Sequence, residues 1–99
     1  MIDEIALQKQ VNRAQKAASL QDNDILNEAF AELEKEYIAF WRQTKPEDQL
    51  GREKCYLAIN VVGKVKDHLA SIVANGKLAA AELNKLHADA ERRKKFGII

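Results

Sequence analysis

The sequence predicts an all-α protein: a long antiparallel helical hairpin with shorter flanking helices, forming a small bundle that oligomerises. Three observations lead to this prediction. Apolar residues recur at helical spacing, no strand-like alternation is sustained, and the 99 residues include one proline and four glycines. A chain of this length that is 46% hydrophobic predicts one helical domain, 1–99, with a limited core, which association between copies commonly supplements.

The first helix is predicted over about residues 2–20. Its broad apolar face consists mostly of small side chains, namely Ile2, Ile5, Ala6, Val11, Ala14, Ala17 and Ala18. The polar run "QDND" interrupts this face. Asp22, Asn23 and Asp24 are each suited to cap the next helix, because a short acceptor side chain meets the free amides of the first turn.

The second helix is predicted over about residues 24–44. Its apolar seam advances in steps of four and three residues, as in a heptad pattern. The seam consists of Leu26, Phe30, Leu33, Tyr37 and Phe40, with Ile38 and Trp41 beside it.

The third helix is predicted over about residues 46–75. Thr44 and Glu47 have the spacing of a capping box, and Pro46 suits the first turn, where its missing donor costs nothing. The main apolar stripe consists of Leu50, Leu57, Val61, Val65, Leu69, Ile72 and Val73. Gly63 within a helix indicates the close approach of a neighbouring helix.

A fourth helix is predicted over about residues 77–95. Asn75 and Gly76 predict a helix stop, because glycine readily adopts the left-handed conformation that closes a helix. The residues expected to face inward are Leu78, Ala79, Leu83, Leu86 and Ala90. Phe96, Ile98 and Ile99 then form an apolar tip.

The chemistry-bearing residues predict no catalytic, cofactor-binding or metal-binding site. Cys55 is the only cysteine, and neither His68 nor His87 accompanies a nucleophile elbow or a glycine-rich oxyanion loop. Glu28, Glu32 and Glu36 step by four along one helix face, but no Glu-x-x-His motif joins them, so we interpret them as a solvated face. We therefore expect a protein that is not an enzyme.

The charge distribution has two interpretations: charged helices with solvated faces, and pairing between the acidic middle and the basic end of the chain. Residues 21–50 carry eight acidic and three basic side chains, whereas residues 76–99 carry three acidic and six basic ones. Such a chain is able to pair end to middle, within a subunit or between neighbours. The candidate helix-packing interface consists of Tyr37, Phe40, Trp41, Val61, Val65 and Leu69. The candidate contact to another partner or to nucleic acid consists of Arg92, Arg93, Lys94 and Lys95.

The expected location is the cytoplasm, without a membrane partner. A single cysteine fits a reducing compartment, and the N-terminal "MIDEIALQKQ" lacks the apolar segment of a signal peptide. No apolar run approaches the roughly 20 residues that a membrane span requires.

The middle of the chain, "EYIAFWRQTKPEDQLGREKCYLAINVVGKVKDHLASIVANGKLAAAEL", resembles small all-helical proteins encoded by tailed phages and prophages of proteobacteria. The features that carry the resemblance are Trp41-Arg42, Asp48, Gly51-Arg52-Glu53, the run from Gly63 to Leu69, and Asn75-Gly76-Lys77. The resemblance implies a role in DNA packaging, like that of a small terminase, or in virion assembly. It also implies other phage proteins as partners, in the host cytoplasm or the virion. The alternative hypothesis is a nucleic-acid-binding or regulatory module that uses the basic C-terminus.

Overall fold

Three helices make up the computed structural model, which describes residues 3–95 and, for Lys95, the backbone alone. Helix α1 covers Glu4–Gln21, α2 covers Asp24–Gln43, and α3 covers Gln49–Lys95. The prediction of an all-α fold is confirmed. Ile2 and the apolar tip, Phe96, Ile98 and Ile99, lie outside the described residues.

Short acceptor side chains begin the first two helices. The Asp3 carboxylate accepts a hydrogen bond from the Ile5 amide at 3.0 Å, and the Asn23 side chain accepts one from the Leu26 amide at 2.9 Å. Asn23 is thus the residue of "QDND" that caps α2. The Asn27 side-chain amide also donates to the Gln21 carbonyl at 2.8 Å, which ties the start of α2 to the end of α1.

The start of α3 differs from the prediction. Thr44 has an extended backbone at the C-terminus of α2, and its hydroxyl donates to the Trp41 carbonyl at 2.6 Å. The capping box of Thr44 and Glu47 is therefore wrong, as is a helix start at residue 46. Pro46 lies in a turn in which the Asp48 amide donates to the Lys45 carbonyl at 2.9 Å.

Asp48 supplies the cap of α3. Its carboxylate accepts a hydrogen bond from the Gly51 amide at 3.0 Å, and its carbonyl accepts one from the Arg52 amide at 3.2 Å. A carboxylate in this position satisfies a free first-turn amide and also favours the positive end of the helix dipole.

The predicted break at Asn75 and Gly76 is also wrong, because α3 continues through both residues. Gly76 is buried, and a methyl group at this position would overlap the side chain of Ala14 and lie 3.3 Å from the Gln10 carbonyl oxygen. The close approach of α1 therefore explains this glycine. At Gly63, by contrast, the predicted close approach of a helix is wrong. Among the described residues, nothing lies within 4 Å of a methyl group placed there.

Helices α1 and α2 pack against successive parts of α3. Ala14 of α1 lies against Gly76, whereas Trp41 of α2 lies beside Arg52 and Tyr56. The two regions meet where Leu20, Leu26 and Phe30 lie beside Lys66 and Leu69. We call α1 with residues 70–95 the distal arm, and α2 with residues 49–69 the proximal arm.

The buried apolar side chains lie mainly in the distal arm: Ala14, Ala17, Ala79 and Leu83 there, and Val62 in the proximal arm. The seam of α1 and the seam of α3 both advance by threes and fours, which keeps them in contact along the arm. Two large residues of this arm that were predicted on its apolar faces are exposed: Ile5 by 69% and Leu78 by 70%. Ala6 and Ala90 are exposed as well.

The molecule is elongated. Its extents are 76 × 27 × 14 Å, and its radius of gyration of 21.7 Å greatly exceeds the approximately 13 Å of a compact domain of 100 residues. The length follows from α3, whose 47 residues span about 70 Å at 1.5 Å per residue.

Candidate protein-interaction surface

The proximal arm leaves most of its large apolar side chains accessible. Within Asp24–Gln43, no residue is buried. Leu26, Phe30 and Tyr37 are half-buried, whereas Phe40 remains 54% exposed and Trp41 43% exposed. The heptad-like seam of α2 is therefore only partly covered by α3.

In the proximal arm, the apolar stripe of α3 has a covered part and an exposed part. The positions that pack toward α2 are small or medium-sized: Cys55 and Ala58 are half-buried and Val62 is buried. Leu50, Leu57, Val61 and Val65 belong to the predicted main apolar stripe, and they are 63%, 61%, 57% and 44% exposed. At about 100° per residue, these four side chains lie on a flank of α3 adjacent to its buried positions.

One shared depression and the helical geometry place the exposed residues of α2 relative to this flank. Trp41 lines a surface depression with Tyr56, Arg52 and Glu53, so Trp41 and Tyr56 share one side of the arm. On α2, Phe40 and Leu33 lie on the flank opposite Trp41. On α3, Leu57 and Val61 lie on the flank opposite Tyr56.

The side of the proximal arm opposite Trp41 and Tyr56 therefore combines apolar residues from α2 and α3. We call it the open face, and it consists of Leu33, Phe40, Leu50, Leu57, Val61 and Val65. Exposed apolar residues gathered on one side of two helices mark a binding site more often than scattered apolar residues do.

The six residues of the predicted interface thus divide between several environments. Phe40, Val61 and Val65 belong to the open face, and Trp41 belongs to the opposite side of the arm. Tyr37 and Leu69 are half-buried. The sequence-based interface omitted Leu33, Leu50 and Leu57, because helical spacing places them in apolar stripes without showing which part of a stripe is covered.

The basic cluster lies at the far end of the molecule from the open face. Arg92, Arg93 and Lys94 are exposed in the last turns of α3, and the side chain of Lys95 lies outside the described residues. Cations at a helix C-terminus interact favourably with the helix dipole.

The residues considered as possible chemical groups lie on α3 and differ in exposure. Cys55 is half-buried on α3, whereas His68 and His87 are exposed. Over residues 3–95, no three His, Cys, Asp or Glu side chains come together as metal ligands. In the same range, no helix is both long and apolar enough to cross a membrane.

The open face and the basic end define the class of molecule at hand: an elongated all-helical protein with an uncovered apolar surface. Comparison with known proteins adds no assignment, since no family model, curated protein or solved structure matches the chain.

Proposed function

We propose that this chain is a non-enzymatic helical protein that self-assembles through its proximal arm, in which α2 and the first half of α3 form an antiparallel hairpin. The observation that carries this proposal is the open face. Full burial of a Val, Leu or Phe side chain contributes about 1.5–3 kcal/mol each, so covering this face is a substantial source of stability.

The total surface supports the same conclusion. The accessible surface is 8260 Å², whereas a compact monomer of 11.2 kDa exposes about 5,700 Å². A stable protein–protein interface removes about 800 Å² from each partner. The excess surface of this chain is thus sufficient for an extensive interface between subunits.

Within phage biology, we propose that this assembly serves DNA packaging or virion assembly. The support is the resemblance of residues 36–83 to small helical proteins of tailed phages. Proteins that build rings or shells from helical hairpins require apolar surfaces that bind other subunits, and the open face is a candidate for such a surface.

Sedimentation equilibrium of the purified chain tests self-assembly. We expect a mass that is a multiple of 11.2 kDa at micromolar concentration. A variant with Leu57→Asp and Val61→Asp should sediment as a monomer, because each carboxylate would be buried without a partner. The control is Leu78→Asp, at a 70% exposed position of the distal arm, which should leave the mass unchanged. A monomeric wild-type chain contradicts the proposal.

The genomic location tests the phage role. A coding position beside portal, capsid or terminase genes supports packaging or assembly. A position beside replication or repressor genes contradicts that role while leaving self-assembly intact.

The second candidate function is nucleic-acid binding, favoured by the exposure of Arg92, Arg93 and Lys94 at one end of α3. Cations that contact phosphates release counterions, so binding weakens steeply with salt. Under this alternative, alanine at residues 92–95 abolishes salt-dependent retention of DNA. Under self-assembly, the same variant still associates and its open face is unaffected.

A further inference from the structure

The flank of α3 that contributes to the open face also carries positive charge. Lys54 and Lys64 are exposed and interleave with Leu50, Leu57 and Val61 at the same three- and four-residue spacing. These five side chains therefore lie along one line on the helix. Their order along the chain is apolar, basic, apolar, apolar, basic.

The edge of α2 that contributes to the open face carries the opposite charge. Glu36 lies between Leu33 and Phe40 at the same helical spacing, and Glu32 is one turn earlier; both carboxylates are exposed. Over its whole length, α2 has five acidic and two basic side chains, whereas α3 has five acidic and ten basic ones.

The acids and the lysines occupy the same stretch of the arm, with Trp41 beside Arg52 and Tyr56 at one end of it. Leu26 and Phe30 lie beside Lys66 and Leu69, so the next turn of α2, which holds Glu32, reaches the level of Lys64. If two copies are related by a two-fold axis parallel to the helices, each residue of one copy lies at the same height along the axis as the same residue of the other copy. The same axis also places α2 of one copy over α3 of the other.

On these grounds we propose that the occupant of the open face is the open face of a second copy, with each α2 lying on the partner's α3 in a four-helix bundle. In this pairing Glu32 faces Lys64, Glu36 lies between the levels of Lys64 and Lys54, and the apolar residues meet beside them. Pairing of like helices would oppose lysine to lysine and glutamate to glutamate. The inference rests on the proposed self-assembly and specifies its geometry.

Charge reversal tests the pairing. One variant carries Lys54→Glu and Lys64→Glu, and the other carries Glu32→Lys and Glu36→Lys. Each should associate at least tenfold more weakly than the wild type, because like charges then face each other in both halves of the interface. An equimolar mixture should recover a heterodimer, since both halves then pair opposite charges. Sedimentation and native mass spectrometry report the two results.

A matched control separates the local effect from net charge. Lys77→Glu with Lys85→Glu makes the same change of charge at exposed positions of the distal arm. It should associate like the wild type. Helicity measured by circular dichroism verifies that every variant is folded.

The outcomes distinguish this inference from the proposed function. Single variants that associate as well as the wild type, or a mixture that fails to recover association, overturn the pairing while self-assembly stands. Loss of association in the distal-arm control equal to that of the open-face variants also overturns it. A monomeric wild type overturns both.

Discussion

Two glycines of α3 occupy opposite environments. Gly76 is buried against α1, and an added methyl group would overlap Ala14. Gly63 has free space around its missing side chain among the described residues. The same residue type thus allows helix packing at one position and only weakens the helix at the other.

We therefore expect Gly63→Ala and Gly76→Ala to change stability with opposite sign. Alanine is more favourable than glycine inside a helix by about 0.8–1 kcal/mol, so Gly63→Ala should stabilise the fold by up to that amount. Gly76→Ala should destabilise it, because α1 must move away from α3. Urea unfolding at one fixed protein concentration measures both. Equal stabilisation by the two substitutions would contradict the close approach at Gly76.

The cap of α3 gives a second prediction at the residue scale. Asp48→Ala should lower the free energy of unfolding by about 1 kcal/mol, because the Gly51 amide loses its acceptor. Asp48→Asn should retain most of the stability, since asparagine caps equally well. Glu47→Ala removes a neighbouring carboxylate in the turn and serves as the control. A larger loss for Glu47→Ala than for Asp48→Ala would restore the capping box with Thr44.

At the scale of the elements, the two short helices differ in how they are held. Helix α1 buries Ala14 and Ala17 against α3, and the small side chains bring the two backbones close together. Helix α2 has larger side chains, yet no residue within Asp24–Gln43 is buried. Tertiary packing supplies most helical stability in proteins, so α2 depends more on a partner than α1 does.

This difference predicts a pattern of amide hydrogen exchange. At low protein concentration, where association is lost, the amides of α2 should exchange faster than those of α1 and of residues 70–90, because local opening is easiest where few apolar contacts are buried. At high concentration the protection of α2 should increase, whereas that of α1 should change little. Uniform protection of α1 and α2 at all concentrations would contradict the dependence of α2 on a partner.

At the scale of the whole molecule, the shape and the exposed surface point to association. A radius of gyration of 21.7 Å and a surface of 8260 Å² leave the chain with a smaller core than its length permits. Residues of the open face, such as Leu57 and Val61, are more than half exposed in the isolated chain.

Thermal stability should accordingly depend on concentration. For a dimer that unfolds to separate chains, a tenfold increase in concentration should raise Tm by on the order of a few degrees, since association stabilises by mass action. Circular dichroism over a hundredfold range of concentration measures this shift. The variant with Leu57→Asp and Val61→Asp should show no such dependence, and a constant Tm for the wild type would contradict coupled folding and association.

The sequence by itself determined the fold class and much of the local structure. Regular spacing of apolar residues requires helices whatever surrounds them, and the chain turns within "QDND" and "TKPED" where acceptor side chains and proline are concentrated. The start of α2 followed because capping by Asn23 is a local interaction. Thr44 instead lies at the C-terminus of α2, where its hydroxyl donates to the Trp41 carbonyl, and Asp48 caps α3.

Only the tertiary structure decided the continuity of α3 and the location of the open face. Glycine weakens a helix and often marks its end. Gly76 nevertheless lies inside α3, because α1 packs closely against it and tertiary packing stabilises the helical backbone there. Periodicity likewise shows that Leu50, Leu57 and Val61 share a flank without showing what covers it. Because α2 covers the neighbouring flank of α3 instead, that apolar stripe is left as a surface rather than a core.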